Sequence, residues 1–93
     1  MHRIMDISKN PQELGEAVRR FRRARKLTQV QVSHLSGRSR DILYRLEQGK
    51  DVSVSALMDI VRAMGASLEL RTAGLPTLEE MRERFAGDDD DAA

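Results

Sequence analysis

The segment Thr28 to Gly49, TQVQVSHLSGRSRDILYRLEQG, constrains this chain more than any other part of it. It reads as two short helices around a tight glycine turn, with a basic second helix. Thr28 can cap a helix through its side-chain oxygen, and Gln31, three residues later, completes a capping box. Val32 and Leu35 lie on one face at helical spacing, with Val30 beside them. Gly37 falls where the chain must turn sharply, a place suited to positive φ. Ser39 is the next N-cap. Ile42, Leu43 and Leu46 form the inner face of the second helix, Arg40, Asp41, Tyr44 and Arg45 fall on the other, and Gly49 closes it. Two such helices are the smallest device that presents side chains to the major groove of DNA.

The flanking sequence supplies a frame. Asn10-Pro11-Gln12-Glu13 is a helix start, with Asn as cap, Pro at the first helical position and Glu at the third. Leu14, Val18 and Phe21, with Ala17 and Ala24, make an inward stripe to about Arg25. Val54, Leu57, Ile60, Val61 and Met64 form another amphipathic helix, capped by Ser53 and stopped at Gly65. The period then changes. Ser67-Leu68-Glu69-Leu70-Arg71 alternates as a half-buried strand does. A lone strand has unpaired edges. It needs the N-terminal cluster Ile4, Met5 and Ile7, the same strand of a second copy, or both.

The expected organisation is mainly α. Residues 1–9 are a lead-in and edge-strand candidate, and 10–65 are a compact helical head. Residues 66–72 are a strand, 73–86 a turn and a short amphipathic helix, and 87–93 a disordered acidic tail. Ninety-three residues make one small domain with a modest core. No apolar run approaches the roughly 20 residues that span a bilayer, and the N-terminus lacks the apolar stretch of a signal peptide. A cytoplasmic protein is the default expectation.

Charge is divided along the chain. Residues 11–50 hold ten Lys or Arg against four acids, a net +6, whereas residues 51–93 hold four Arg against ten acids, a net −6. A basic half suits a polyanion. One Tyr, two Phe and no Trp argue against a stacking surface for single strands. Without cysteine there is neither a disulfide framework nor a thiolate metal site, and His2 and His34 have no partners at metal-ligand spacing. No Gly-rich phosphate loop or paired carboxylates suggest catalysis. No enzyme, metal or cofactor is expected.

Leu27-Thr28-Gln29, Gly37, Ser39 and the ending Leu46-Glu47-x-Gly49 carry a resemblance to the helix-turn-helix of the lambda-repressor and Cro type, the XRE family. That resemblance implies a four-to-five-helix lambda-repressor-like head. Arg38 departs from it, standing where the family usually has an apolar residue. Either its stem covers the core while its head reaches solvent or a phosphate, or the turn differs here. The layout over roughly residues 4–72 looks like the HipB-like antitoxins. The likeness implies a homodimer paired through the C-terminal strand at Leu68 and Leu70, autoregulation at a palindromic operator, and a partner toxin. A free-standing repressor shares the same head. A different class remains open too, a protein-interaction module whose acidic C-terminal part binds a basic partner.

The helix from Ser39 is the one expected in the major groove, its N-terminal residues nearest the base edges. Arg40 suits a bidentate contact to guanine. Asp41 can accept from a cytosine amino group or orient Arg40. Tyr44 and Arg45, one turn on, can reach a base or a phosphate; ordinary solvated charge is the alternative weighed against a DNA role for Arg40 and Arg45. By the family resemblance Ser39 and Gln29 touch DNA, and Arg22 with Glu47 forms a structural ion pair. Arg38 and Lys50 are candidates for backbone contacts. The remaining charges from Arg19 to Lys26 read as helix surface, favourable near a helix C-terminus.

Overall fold

The structure, a computed structural model, describes residues 7–72 and Arg82. Four helices follow one another, α1 (Pro11–Ala24), α2 (Gln29–Ser36), α3 (Arg40–Glu47) and α4 (Val54–Ala63). Among the described residues there is no strand. Residues 66–72 have no ladder partner among the described residues and carry no regular secondary structure. Most of the expected lead-in strand, and the expected helix and acidic tail beyond residue 72, lie outside the described residues, apart from Arg82, which is helical.

Each helix starts where a short polar side chain satisfies an amide that the helix leaves open. Asn10 Oδ1 accepts from Glu13 N at 2.8 Å, ahead of Pro11 in the first turn. Thr28 Oγ1 accepts from Gln31 N at 3.1 Å while Gln31 Oε1 accepts from Thr28 N at 2.8 Å, a reciprocal capping box. Ser39 and Ser53 cap α3 and α4 the same way, through Ile42 N and Ala56 N. Such a cap is worth about 1 kcal/mol, a large contribution to helices as short as α2 and α3.

The helix ends are equally specified. α3 closes with Gly49 N donating to Leu46 O and Lys50 N to Arg45 O, and Gly49 adopts φ 79°. α1 closes with the same pair of bonds, Lys26 N to Arg23 O and Leu27 N to Arg22 O. Here, however, the left-handed position is Lys26 at φ 58°. A side chain in that conformation costs about 1 kcal/mol or more.

The core joins Val18, Val32, Leu43, Leu46, Ile60 and Met64, with Leu14, Phe21, Leu27, Ile42, Val52 and Leu57 packed around it. Val32, Leu43 and Ile60 are fully buried, each contributing about 1.5–3 kcal/mol by removal from water. Several expected core positions lie outside the core, exposed Ala24 at the end of α1 among them. Leu35 is 60% exposed, and Val30 is exposed beside it. The inner side of α2 carries Ser33 and Ser36 next to Val32. Ser33 Oγ donates to Arg38 O and Ser36 Oγ to Ser33 O, so the turn's carbonyls demand hydroxyls where a leucine would otherwise pack. Val54 is 75% exposed because it sits directly after the Ser53 cap, off the buried stripe that begins at Ala56.

α1 crosses the end of α3 at Gly15, where the two backbones nearly touch. A Cβ on Gly15 would lie 2.7 Å from Glu47 O and closer still to Leu46 O. These are backbone atoms at a buried crossing, with no flexible side chain to swing aside. Gly15→Ala is therefore expected to destabilise the domain by about 2–3 kcal/mol, read as a lower urea midpoint at unchanged m-value. An unchanged midpoint would mean that the crossing can open at little cost.

Candidate nucleic-acid interface

The geometry starts from a buried ion pair. Arg22 on α1 and Glu47 on α3 are 8% and 6% exposed. Arg22 Nε donates to Glu47 Oε2 at 2.7 Å and a terminal nitrogen to Glu47 Oε1 at 3.0 Å, a bidentate fork. The other terminal nitrogen donates to Leu27 O at 3.0 Å, and Gln29 Nε2 donates to Glu47 Oε1 at 3.3 Å. The ion pair thus ties together α1, the α1–α2 link, the first residue of α2 and the last turn of α3. No buried side-chain polar atom among the described residues is left without a partner. The link to Gln29 is not legible from the sequence; it means that a residue proposed to face a phosphate is also anchored to the core.

The outer face of α3 presents Arg40, Asp41, Tyr44 and Arg45, all exposed. Arg40 and Tyr44 line one cleft. Arg45 turns the other way and donates to Asp51 O at 3.2 Å. Asp41 forms no ion pair with Arg40 and has no hydrogen-bond partner among the described residues. Ser39 Oγ is occupied as the cap, leaving its other lone pair and its hydrogen available. Lys50 is exposed but lies apart, beside a small groove that includes Pro11, Leu14 and Leu57.

Arg38 takes neither course expected of it. Its guanidinium pairs with Asp59 on α4 at 2.9 Å, and Nε donates to the same carboxylate oxygen at 3.0 Å. A further bond reaches Ser55 Oγ at 3.4 Å. The head is thus neither free in solvent nor available unpaired for a phosphate. Asp59 also pairs with Arg62 at 2.9 Å. The turn itself keeps Gly37 at φ 70°, and Arg38 O accepts from Ser33. The polar residue after the glycine is accommodated by a carboxylate on α4, without distortion of the turn.

A concavity opens between the C-terminal half of α1, the start of α2 and the exposed face of α3, with a volume of about 640 Å³. Arg19, Arg22, Arg23, Lys26 and Arg40 line it, together with Thr28, Gln29, Tyr44 and Glu47. Five cations face one carboxylate, which Arg22 already neutralises. Arg19, Arg23 and Lys26 were expected only as helix surface. Their spacing of four and three residues, which puts them on one side of α1 and its cap, was the available signal. Among the described residues no His, Cys, Asp and Glu cluster could hold a metal ion, and no helix is long and apolar enough to cross a membrane.

The chain is similar to known proteins. A family model described as a helix-turn-helix domain matches residues 13–74. The crystal structure of the clp gene regulator ClgR from C. glutamicum is similar with a TM-score of 0.58 and 34% sequence identity. The match covers 66% of this chain and 80% of that one. No curated protein matches the chain.

Removing one partner of the buried pair leaves the other charge stranded. Arg22→Met is expected to cost about 3–5 kcal/mol, whereas Arg22→Met with Glu47→Leu should recover a large part of that loss. Urea denaturation of the two variants measures this. A single variant as stable as the wild type would show that Glu47 finds water or another cation instead.

Proposed function

The chain belongs to the helix-turn-helix domain family, and on that footing we propose that it is a sequence-specific regulator of transcription that binds double-stranded DNA through α3. It works by binding alone, without catalysis or cofactor, in the cytoplasm. The observation that carries this reading is the outer face of α3. It is short, capped by Ser39 and fixed from behind by the Arg22–Glu47 pair. Arg40 and Tyr44 stand on it, exposed and opening on a basic cleft. Arg40, with no ion-pair partner among the described residues, is the side chain for a guanine. Asp41, equally without a partner, is left to accept from a cytosine amino group. Gln29 and Ser39, at helix N-termini beside Arg40, serve the phosphates. Arg45, in the last turn of α3, and Lys50, just after it, serve as further backbone contacts. The similarity to a gene regulator supports regulation as the outcome of binding.

We take the active form to be a homodimer. Leu70 is 101% exposed and Leu68 45% exposed, in a segment with no ladder partner among the described residues. Pairing that segment with its copy would satisfy its backbone and cover both leucines. Repression of its own promoter is the simplest use of such a dimer. The finer antitoxin reading rests on the resemblance of the layout to HipB-like proteins. Recovery of an untagged toxin with the tagged chain is its test.

Selection from a pool of random duplexes, followed by footprinting, should yield a palindrome with half-sites about 34 Å, or one helical turn, apart. A single asymmetric half-site would rule out the dimer. Arg40→Ala should relax preference at one base pair per half-site by about 1–3 kcal/mol, leaving binding to unrelated duplexes nearly unchanged. Loss of all affinity without loss of preference would point to Arg40 as a phosphate ligand. Leu70→Arg is expected to give a monomer in light scattering, with the fold intact by circular dichroism.

A further inference from the structure

Among the described residues, several arginines are already engaged and other basic side chains are not. Arg22 and Arg38 are paired with carboxylates, Arg62 pairs with Asp59, Arg45 is bound to a carbonyl, and Arg25 lies over the Phe21 ring at 5.1 Å. Arg19, Arg23, Lys26 and Arg40 have no ion-pair or hydrogen-bond partner for their side chains among the described residues. All four line the same cleft. Unpaired cations on a protein surface repel one another and gain by separating. Four of them gathered at one concavity, while acids elsewhere are used to pair other arginines, is an arrangement that an anion would complete.

The cleft is continuous with the face of α3. Arg40 and Tyr44 form its α3 wall and Arg19 and Arg23 its α1 wall, with the start of α2 between them. A phosphodiester strand leaving the groove that α3 occupies would cross this gap. We propose that Arg19 and Arg23, with Lys26 at the mouth, are the seat of a run of DNA backbone, adding at least two phosphate contacts per protomer to those made from α2 and α3. This rests on the DNA-binding reading above and deepens it. The three cations carry no sequence information; they set how the duplex lies across the domain, and hence the angle at which α3 meets the bases. Arg19 and Arg23 are exposed, so replacing them does not disturb the core.

The test uses the full chain and an operator obtained by selection. Phosphate-ethylation interference on the wild type should mark backbone positions beside each half-site. In Arg19→Gln with Arg23→Gln, two of these per half-site should become insensitive. The slope of log K against log salt should fall by about 1.8 per protomer, from about 0.9 for each lost phosphate contact. The ranking of operator variants should stay the same. A control pair, Lys9→Gln with Arg82→Gln, removes the same charge from exposed positions outside the cleft. It should leave both measurements near the wild type. An unchanged ethylation pattern in the Arg19/Arg23 variant overturns the proposal, as does an equal loss of slope in the control. If the wild type selects no duplex from the pool, the DNA-binding reading fails first.

Discussion

The carboxylate of Glu47 is the point on which the domain's geometry turns. It is nearly dehydrated, and three donors satisfy it, two from the fork of Arg22 and one from the amide of Gln29, while Arg22 also donates to the carbonyl of Leu27. A pair this buried returns little net stability over an apolar replacement. Its value lies in direction. Two parallel hydrogen bonds fix the roll of α3 relative to α1, which greasy contacts alone leave loose. Gly15 complements it by letting the α1 backbone settle against the same turn of α3. Together they determine which residues of α3 are left facing outward.

Much of this was legible in the sequence because helix termini carry local chemistry. Asn10, Thr28, Ser39 and Ser53 each bond an amide three residues on, and no tertiary contact is needed to make that bond. The glycine turn and the inner face of α3 were readable for the same reason. Tertiary demands were harder to see. Periodicity puts Leu35 inside, yet the inner side of α2 is held by serines that serve the turn's carbonyls. Gly15 looks like a mild defect in a helix until the backbone of α3 is placed against it. Asp59 is one of many acids in the second half of the chain, and nothing local marks it as the partner of Arg38.

The candidate site divides along the same line. The exposed residues of α3 follow from its buried ones, so Arg40, Asp41, Tyr44 and Arg45 could be named from spacing. The basic cleft could not, because it is formed by elements from three stretches of chain. Arg19 and Arg23 precede Arg40 by 21 and 17 residues in sequence and share a wall-to-wall gap with it only once the ion pair has brought α1 against α3. Charge counting located the positive half of the molecule. Which of its cations are spent on the fold and which remain available emerges only from their partners.

Lys26 shows how closely those two uses can compete. The end of α1 asks for a left-handed residue, and glycine fills the equivalent place after α3 and α4 at no steric cost. A lysine there forgoes a readily available gain in stability and puts a cation at the edge of the cleft. Selection for thermostability alone would drift toward glycine at this position and erode the charge with each success. Engineers who optimise the domain by heat challenge should therefore expect position 26 to rise early in their rankings, and should screen it separately for binding.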